Sequence, residues 1–289
     1  MFSIKTIRIA IQLRQGTFDG DSNTVTIEGL PTVVSITKQG GEAKNKCSVA
    51  IKNIKQETVK QLTTLAFKRL ETYKNVLQVS AGSRGSNLPV IFMGEINSAV
   101  PFIDDRSGEL ELRIEALSGY YPNLIPTPPT SVQGAVTIDK LMAQFASEAS
   151  YQYENKGITG SVANCVFIGS PITKAQTLAR QVDIDLLIDD GKMTIQPLQA
   201  PKEGESPLLS KDTGLLGYPS FSNEGIVCKS IFNENFKVGG YFKLESILPY
   251  ASGEWQIVKV EHKLSAYEVS GGDWLTTVTG VLPGGKQNG

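Results

Sequence analysis

Five groups of residues in this sequence have types and spacings that could do chemistry. Asp19-Gly20-Asp21-Ser22-Asn23 opens like a calcium-binding loop, with oxygen donors at alternate positions. Such a loop also needs glycine at its sixth place, for the turn, and glutamate at its twelfth, for a bidentate carboxylate. Those places hold Thr24 and Leu30, so the segment reads as a polar hairpin turn. Residues 280–286 carry the glycine and lysine spacing of a phosphate-binding loop. Gln287 stands where a metal-binding hydroxyl belongs, and no helix N-terminus follows to gather the phosphate oxygens. A loose tail is expected there.

His262 is the only histidine, and it alternates with apolar side chains in Val258-Lys259-Val260-Glu261-His262-Lys263-Leu264. A general base needs a nucleophile beside it, and no Gly-x-Ser-x-Gly elbow occurs. An ordinary strand histidine is expected. Asp183, Asp185, Asp189 and Asp190 resemble a metal cluster or an acid/base pair. The spacing puts Asp183 and Asp185 on one face of a strand and Asp189-Asp190 in a turn, all solvated, with no partner at ligand spacing. Asp104-Asp105-Arg106 reads as another turn. Trp255, Trp274, Tyr241 and Tyr267 could stack on sugars or bases, but aromatic residues of a β protein more often fill a core or an interface. No catalytic, cofactor-binding or metal-binding residue is assigned, and no enzyme activity is expected.

Composition narrows the class further. The 28 lysines and arginines balance 29 aspartates and glutamates, with no block of one sign, so a footprint for gripping nucleic acid is absent. Cys47, Cys165 and Cys228 are far apart, in none of the paired spacings that bind metals, and are expected to be buried thiols. No stretch approaches the ~20 apolar residues that span a bilayer, and the first residues lack the pattern of a signal peptide. A soluble chain made in a cytoplasm is expected.

The elements that must position these residues fall into three regions. Residues 1–125 read mainly as strands: Ile7, Ile9, Ile11 and Leu13 alternate with polar or small residues, the period of a half-buried strand. Similar runs cover residues 25–28, 32–37, 47–51, 76–80, 90–96 and 110–117, while Val59, Leu62 and Leu65 fall at helical spacing. Residues 122–129 carry four prolines and read as a stiff linker at a domain boundary. Residues 130–200 predict a small α+β domain. Thr137 caps one helix, Ser170-Pro171 opens another, and Asp189-Asp190-Gly191-Lys192 makes a hairpin turn. Residues 201–213 read as a second linker, and residues 201–289 return to strands at 225–232, 241–247, 255–264 and 274–281.

The last region carries a likeness. Gly214-Leu215-Leu216-Gly217-Tyr218-Pro219, Gly225-Ile226-Val227-Cys228-Lys229-Ser230-Ile231-Phe232-Asn233, Gly253-Glu254-Trp255-Gln256-Ile257-Val258 and Gly271-Gly272-Asp273-Trp274-Leu275 follow one another in close order. This resembles the baseplate hub proteins of tailed phages, the group that includes late control protein D and the hub part of type VI secretion spike proteins. The resemblance implies two tail-tube-type β-barrel domains flanking the α+β domain, in a chain that is mainly β. It implies a homotrimeric ring whose six barrels match a hexameric tail tube, with a trimeric spike or tip protein below and other baseplate proteins around it. DNA would pass the channel without specific binding. The place of action would be the virion tail baseplate, assembled in the host bacterial cytoplasm. The rival readings are a tail-tip cell-wall hydrolase and a receptor- or carbohydrate-binding β protein. The β, α+β, β order favours the hub over both.

Overall fold

A computed structural model describes residues 4–13, 17–18, 22–40, 44–67, 75–103, 108–198, 206–268 and 271–283. Asp19, Asp21, Asp104-Asp105-Arg106, residues 201–205 and the tail from residue 284 lie outside the described residues.

The first unit contains β1 (Lys5–Gln12), β2 (Thr24–Glu28), β3 (Thr32–Gln39), β4 (Lys46–Lys52), α1 (Gln56–Phe67), β5 (Val76–Ser83), β6 (Val90–Ile103) and β7 (Leu110–Leu117). Its strands run β2-β1-β5-β6-β7-β4-β3, antiparallel throughout. The period-two pattern sends Ile7, Ile9 and Ile11 of β1, Val34 and Ile36 of β3, and Leu112 and Ile114 of β7 into one core. Burying each such side chain contributes about 1.5–3 kcal/mol. Helix α1 adds Val59 and Leu62 to that core.

The middle unit contains α2 (Tyr120–Leu124), β8 (Thr127–Ser131), β9 (Ala135–Thr137), α3 (Ile138–Glu148), β10 (Gln152–Asn155), β11 (Ser161–Ala163), β12 (Val166–Gly169), α4 (Pro171–Gln181), β13 (Ile184–Asp189) and β14 (Lys192–Pro197). The Thr137 hydroxyl accepts the Lys140 N–H and caps α3, and Ser170 caps α4 ahead of Pro171. Asp190 and Gly191 both hold positive φ, 47° and 76°, the signature of a two-residue type I′ hairpin. Phe145 of α3 meets Phe167 edge to face in a separate core.

The last unit contains β15 (Leu208–Leu209), β16 (Leu215–Ser222), β17 (Gly225–Ile231), β18 (Tyr241–Leu244), β19 (Gly253–Ala266) and β20 (Trp274–Val281). Its core gathers Ile226, Cys228, Phe242, Trp255, Ile257 and Val278. Strand β19 spends one edge on two partners, β18 at its start and β3 over residues 259–266. The two β units are therefore one continuous sheet.

The strand order of the first unit recurs in the last. The chain order β3, β4, α1, β5, β6, β7 is repeated as β16, β17, residues 232–240, β18, β19, β20. The pairings β3–β4, β4–β7, β7–β6 and β6–β5 are repeated as β16–β17, β17–β20, β20–β19 and β19–β18, all antiparallel. The registers agree along β6–β7 and β19–β20, while β16 carries a bulge between Leu216 and Ser220 that β3 lacks. When Glu95↔Leu117 is matched to Gln256↔Val281, the bulge between Ile96 and Ser98 falls on the bulge between Ile257 and Lys259. The copies differ where a helix in one is a loop in the other.

Several expectations are corrected. The proline-rich segment is structured: Pro122 lies in α2, and Pro128 and Pro129 lie in β8, which pairs with β12. Proline is tolerated there because a short helix's first turn and an edge strand need few N–H donors. Residues 208–222, read in part as linker, form β15 and β16 around a short 3-10 turn. Strand β6 continues past residue 96 to Ile103. Asp183 precedes β13 at a positive φ of 56°, so it does not share a strand face with Asp185. Cys47 and Cys228 are buried, but Cys165 is only half-buried.

Candidate functional site

The side chains most able to act gather where the three units meet. On β3 the inward series Val34, Ile36, Lys38 ends in a cation, and Lys38 is 6% exposed. The alternation that buries the two hydrocarbons also buries the ammonium. Its Nζ lies 2.8 Å from Asp189 and 2.9 Å from Asp190, at the tip of the β13–β14 hairpin. Burial works against the charge of Lys38, but the two carboxylates outweigh it and hold its pKa above that of an ordinary lysine. Asn45 Nδ2 donates to Asp189 Oδ1 at 3.0 Å and to the Ile188 carbonyl at 3.2 Å. The Met93 N–H donates to Asp190 Oδ1 at 2.8 Å. Gly191 holds a positive φ of 76° with Met93 Cε packed against it, and the backbone conformation is what favours glycine at this turn. These aspartates are turn carboxylates about a third exposed, 36% and 32%, that also anchor one unit to another.

Two further buried polar anchors hold the middle unit. Glu95 accepts the Tyr120 N–H at 3.0 Å and the Tyr151 hydroxyl at 3.2 Å, and burial raises its carboxyl above the usual range. Lys174 is fully buried on α4, and its Nζ donates to Glu148, Thr127 Oγ1, Thr130 Oγ1 and the Pro128 carbonyl. Lys174 thereby ties β8 to the helices.

His262 lies on β19 opposite Ile36, 3% exposed, with Phe232 edge-on at 5.4 Å. Its Nδ1 is 2.9 Å from Thr276 Oγ1, an oxygen that also accepts the Asn233 N–H at 3.1 Å. Burial, with Lys38 adding to it, pushes the imidazole pKa down to about 3. The ring is neutral and structural at neutral pH. The unfolded chain takes up a proton near pH 6.5 that the folded chain refuses until about pH 3. Stability should therefore fall as pH drops from 6.5 toward 3, by up to ~1.4 kcal/mol per pH unit from this group alone. Urea midpoints of wild type and His262→Gln at pH 7 and pH 4.5 check this. The wild type is expected to lose more than the variant, and equal losses would refute the assignment.

A cleft of about 550 Å³ opens at the junction, lined by Lys38, Asp189, Gln196, Phe236, Tyr241 and His262 among others. The structure thus places His262 and Tyr241 on one cleft with the Asp189-Asp190 turn, three features the sequence treated separately. Asp185 faces Gln196 across the hairpin. The other aromatic residues are dispersed. Trp255 donates its indole N–H to the Ala251 carbonyl in the third core. Trp274 packs on Phe232, and the Tyr267 hydroxyl sits 3.3 Å from Thr6 Oγ1. Among the described residues, no group of three or more His, Cys, Asp or Glu is arranged to hold a metal. Among the ionisable groups here, Lys38, Asp189 and Asp190 bond across units, whereas His262 and the Lys192–Glu154 pair make their polar side-chain contacts within one unit.

Solved structures place this fold among phage tail proteins. The prophage MuSo2 43 kDa tail protein from Shewanella oneidensis is similar with a TM-score of 0.65 at 9% identity, over 96% of this chain and 97% of that one. A tail protein from Neisseria meningitidis MC58 also has a TM-score of 0.65, at 8% identity over 95% and 96%. The E. coli c3393 protein, a component of the type VI secretion system with structural similarity to T4 tail proteins gp27 and gp5, has a TM-score of 0.58 at 12% identity over 94% and 76%. No curated protein matches the chain in sequence. At these identities the likeness is one of fold. The chain belongs to the family of baseplate hub gp41, which it matches over residues 6–270.

Proposed function

We propose that three copies of this chain form a ring at the centre of the tail baseplate, presenting six similar barrels to a hexameric tail tube and docking a trimeric spike or tip protein below. The observation that carries this reading is the repeated strand order in the two β units, with one bulge at the equivalent place in both. A three-fold body can meet a six-fold one only if each copy offers two equivalent surfaces, and a closed ring does so symmetrically. The solvent-facing side of the shared sheet suits a channel for DNA. Its charges include same-strand pairs such as Arg113 with Glu111 and Lys259 with Glu261, which mix both signs along that face. Electron microscopy of assembled tails is expected to show one three-fold ring of this chain with six barrel densities about 60° apart. A ring of any other symmetry would sink the reading.

A further inference from the structure

The junction inside the chain is a template for the junction between chains. On the register match, residues 98–103 of β6 correspond to residues 259–264 of β19, and residues 220–222 of β16 correspond to residues 35–37 of β3. In the last unit, that half of β19 is covered by β3. In the first unit, the same half of β6 pairs only with β7 among the described residues, and β16 pairs only with β17. Exposure records the difference. Leu264 and Ile36 are fully buried, whereas their counterparts Ile103 and Phe221 are 60% and 54% exposed.

We infer that residues 98–103 of one copy pair antiparallel with β16 of a second copy, reproducing the β19–β3 seam. This rests on the trimeric-hub reading and supplies its interface. The contact is heterologous: β6 faces β16 of one neighbour, and β16 faces β6 of the other, so three copies alternate intrachain and interchain seams around a ring. Edge chemistry supports the assignment. The Gly40 N–H bonds to the Val258 carbonyl at 3.1 Å, so strand alternation turns the His262 N–H toward β3. The counterpart of His262 is Pro101, which has no N–H. The interchain ladder therefore has one bond fewer than the intrachain one, and the exposed edge is guarded against indiscriminate pairing. Pro219 and the bulge between Leu216 and Ser220 guard β16 in the same way. The apolar side chains Val100, Phe102, Ile103, Tyr218 and Phe221, all exposed in the single chain, supply the area that such a contact would bury.

The seam sets Glu261 opposite Thr37, and the counterparts of this pair are Val100 and Ser222. It is a non-hydrogen-bonded antiparallel pair, whose side chains are close enough for a disulfide. Baseplates assembled with Val100→Cys/Ser222→Cys, mildly oxidised, are expected to yield a covalent species of three chains on a denaturing gel, while either single variant yields only single chains. The single variants also control for the half-buried Cys165. The next pair, Phe102→Cys/Ser220→Cys, gives the same readout should the first disturb folding. A three-fold ring seen by microscopy in which neither pair cross-links overturns this interface and leaves the hub reading intact. A ladder running past three chains overturns the closed ring, and a ring of other symmetry overturns both.

Discussion

Lys38→Met is expected to destabilise the protein by about 2–3 kcal/mol, below the range for a fully buried ion pair because the two carboxylates left behind are a third exposed. The ammonium sits at 2.8–2.9 Å from two carboxylates. Its removal leaves Asp189 and Asp190 side by side with no cation, held in place by Asn45 and the Met93 N–H. Like charges in a partly dry site repel, and the hairpin tip should lift from its seat. The variant Lys38→Met/Asp189→Asn/Asp190→Asn removes the whole charge set and should recover part of the loss, because the expense lies in the orphaned charge. Denaturant midpoints with unchanged m-values measure both. A single variant within ~1 kcal/mol of wild type would show that the anchor is dispensable.

Leu264→Ala and Ile103→Ala occupy equivalent places yet should behave oppositely. Leu264 is fully buried under β3, so truncation opens a cavity at the seam and should cost about 2–5 kcal/mol in the isolated chain. Ile103 is 60% exposed, and its truncation should change the isolated chain's stability by no more than about 0.5 kcal/mol. In the proposed ring the order of injury should change, because the neighbour would then cover Ile103. Ile103→Ala should fold normally and incorporate poorly into baseplates. Thermal melting of the free chains and the yield of assembled particles separate the two effects. Normal assembly of Ile103→Ala would remove that residue from the interface.

Much of the fold was legible because local chemistry and global structure agree. The Ile7, Ile9, Ile11 alternation, the caps at Thr137 and Ser170, and the Asp190-Gly191 turn each describe their element, and the structure contains them. The failures share a cause. Strand β16 was missed because Gly217 and Pro219 erase its period, and those residues blunt an edge that a neighbour would otherwise seize. The proline-rich segment misled because proline forbids a central strand but not an edge strand or a first helical turn. Lys38 did leave a signal: it completes the series Val34, Ile36, Lys38 on a buried face, where a lone cation demands a partner. The identity of that partner, 151 residues away, could not be read from spacing. The internal repeat was expected through the family resemblance and not from residue spacing, since one copy has a helix where the other has a loop.

The sharing of β19 between both β units has a kinetic meaning. Six separate barrels closing a ring would have to meet as six bodies, and incomplete arcs would compete with closed rings at every step. Strand β19 makes the contact between the two β units intramolecular. Its effective concentration is set by chain geometry, on the order of millimolar or above, whatever the abundance of the protein. In the proposed three-copy ring only the interchain contacts would depend on how many copies a cell makes, so closure would have three encounters to complete and a third-power dependence on dose. Halving expression should slow baseplate formation far less than it would for an untethered ring of six, and the tether gives a tail that needs few copies of its hub a way to finish each one.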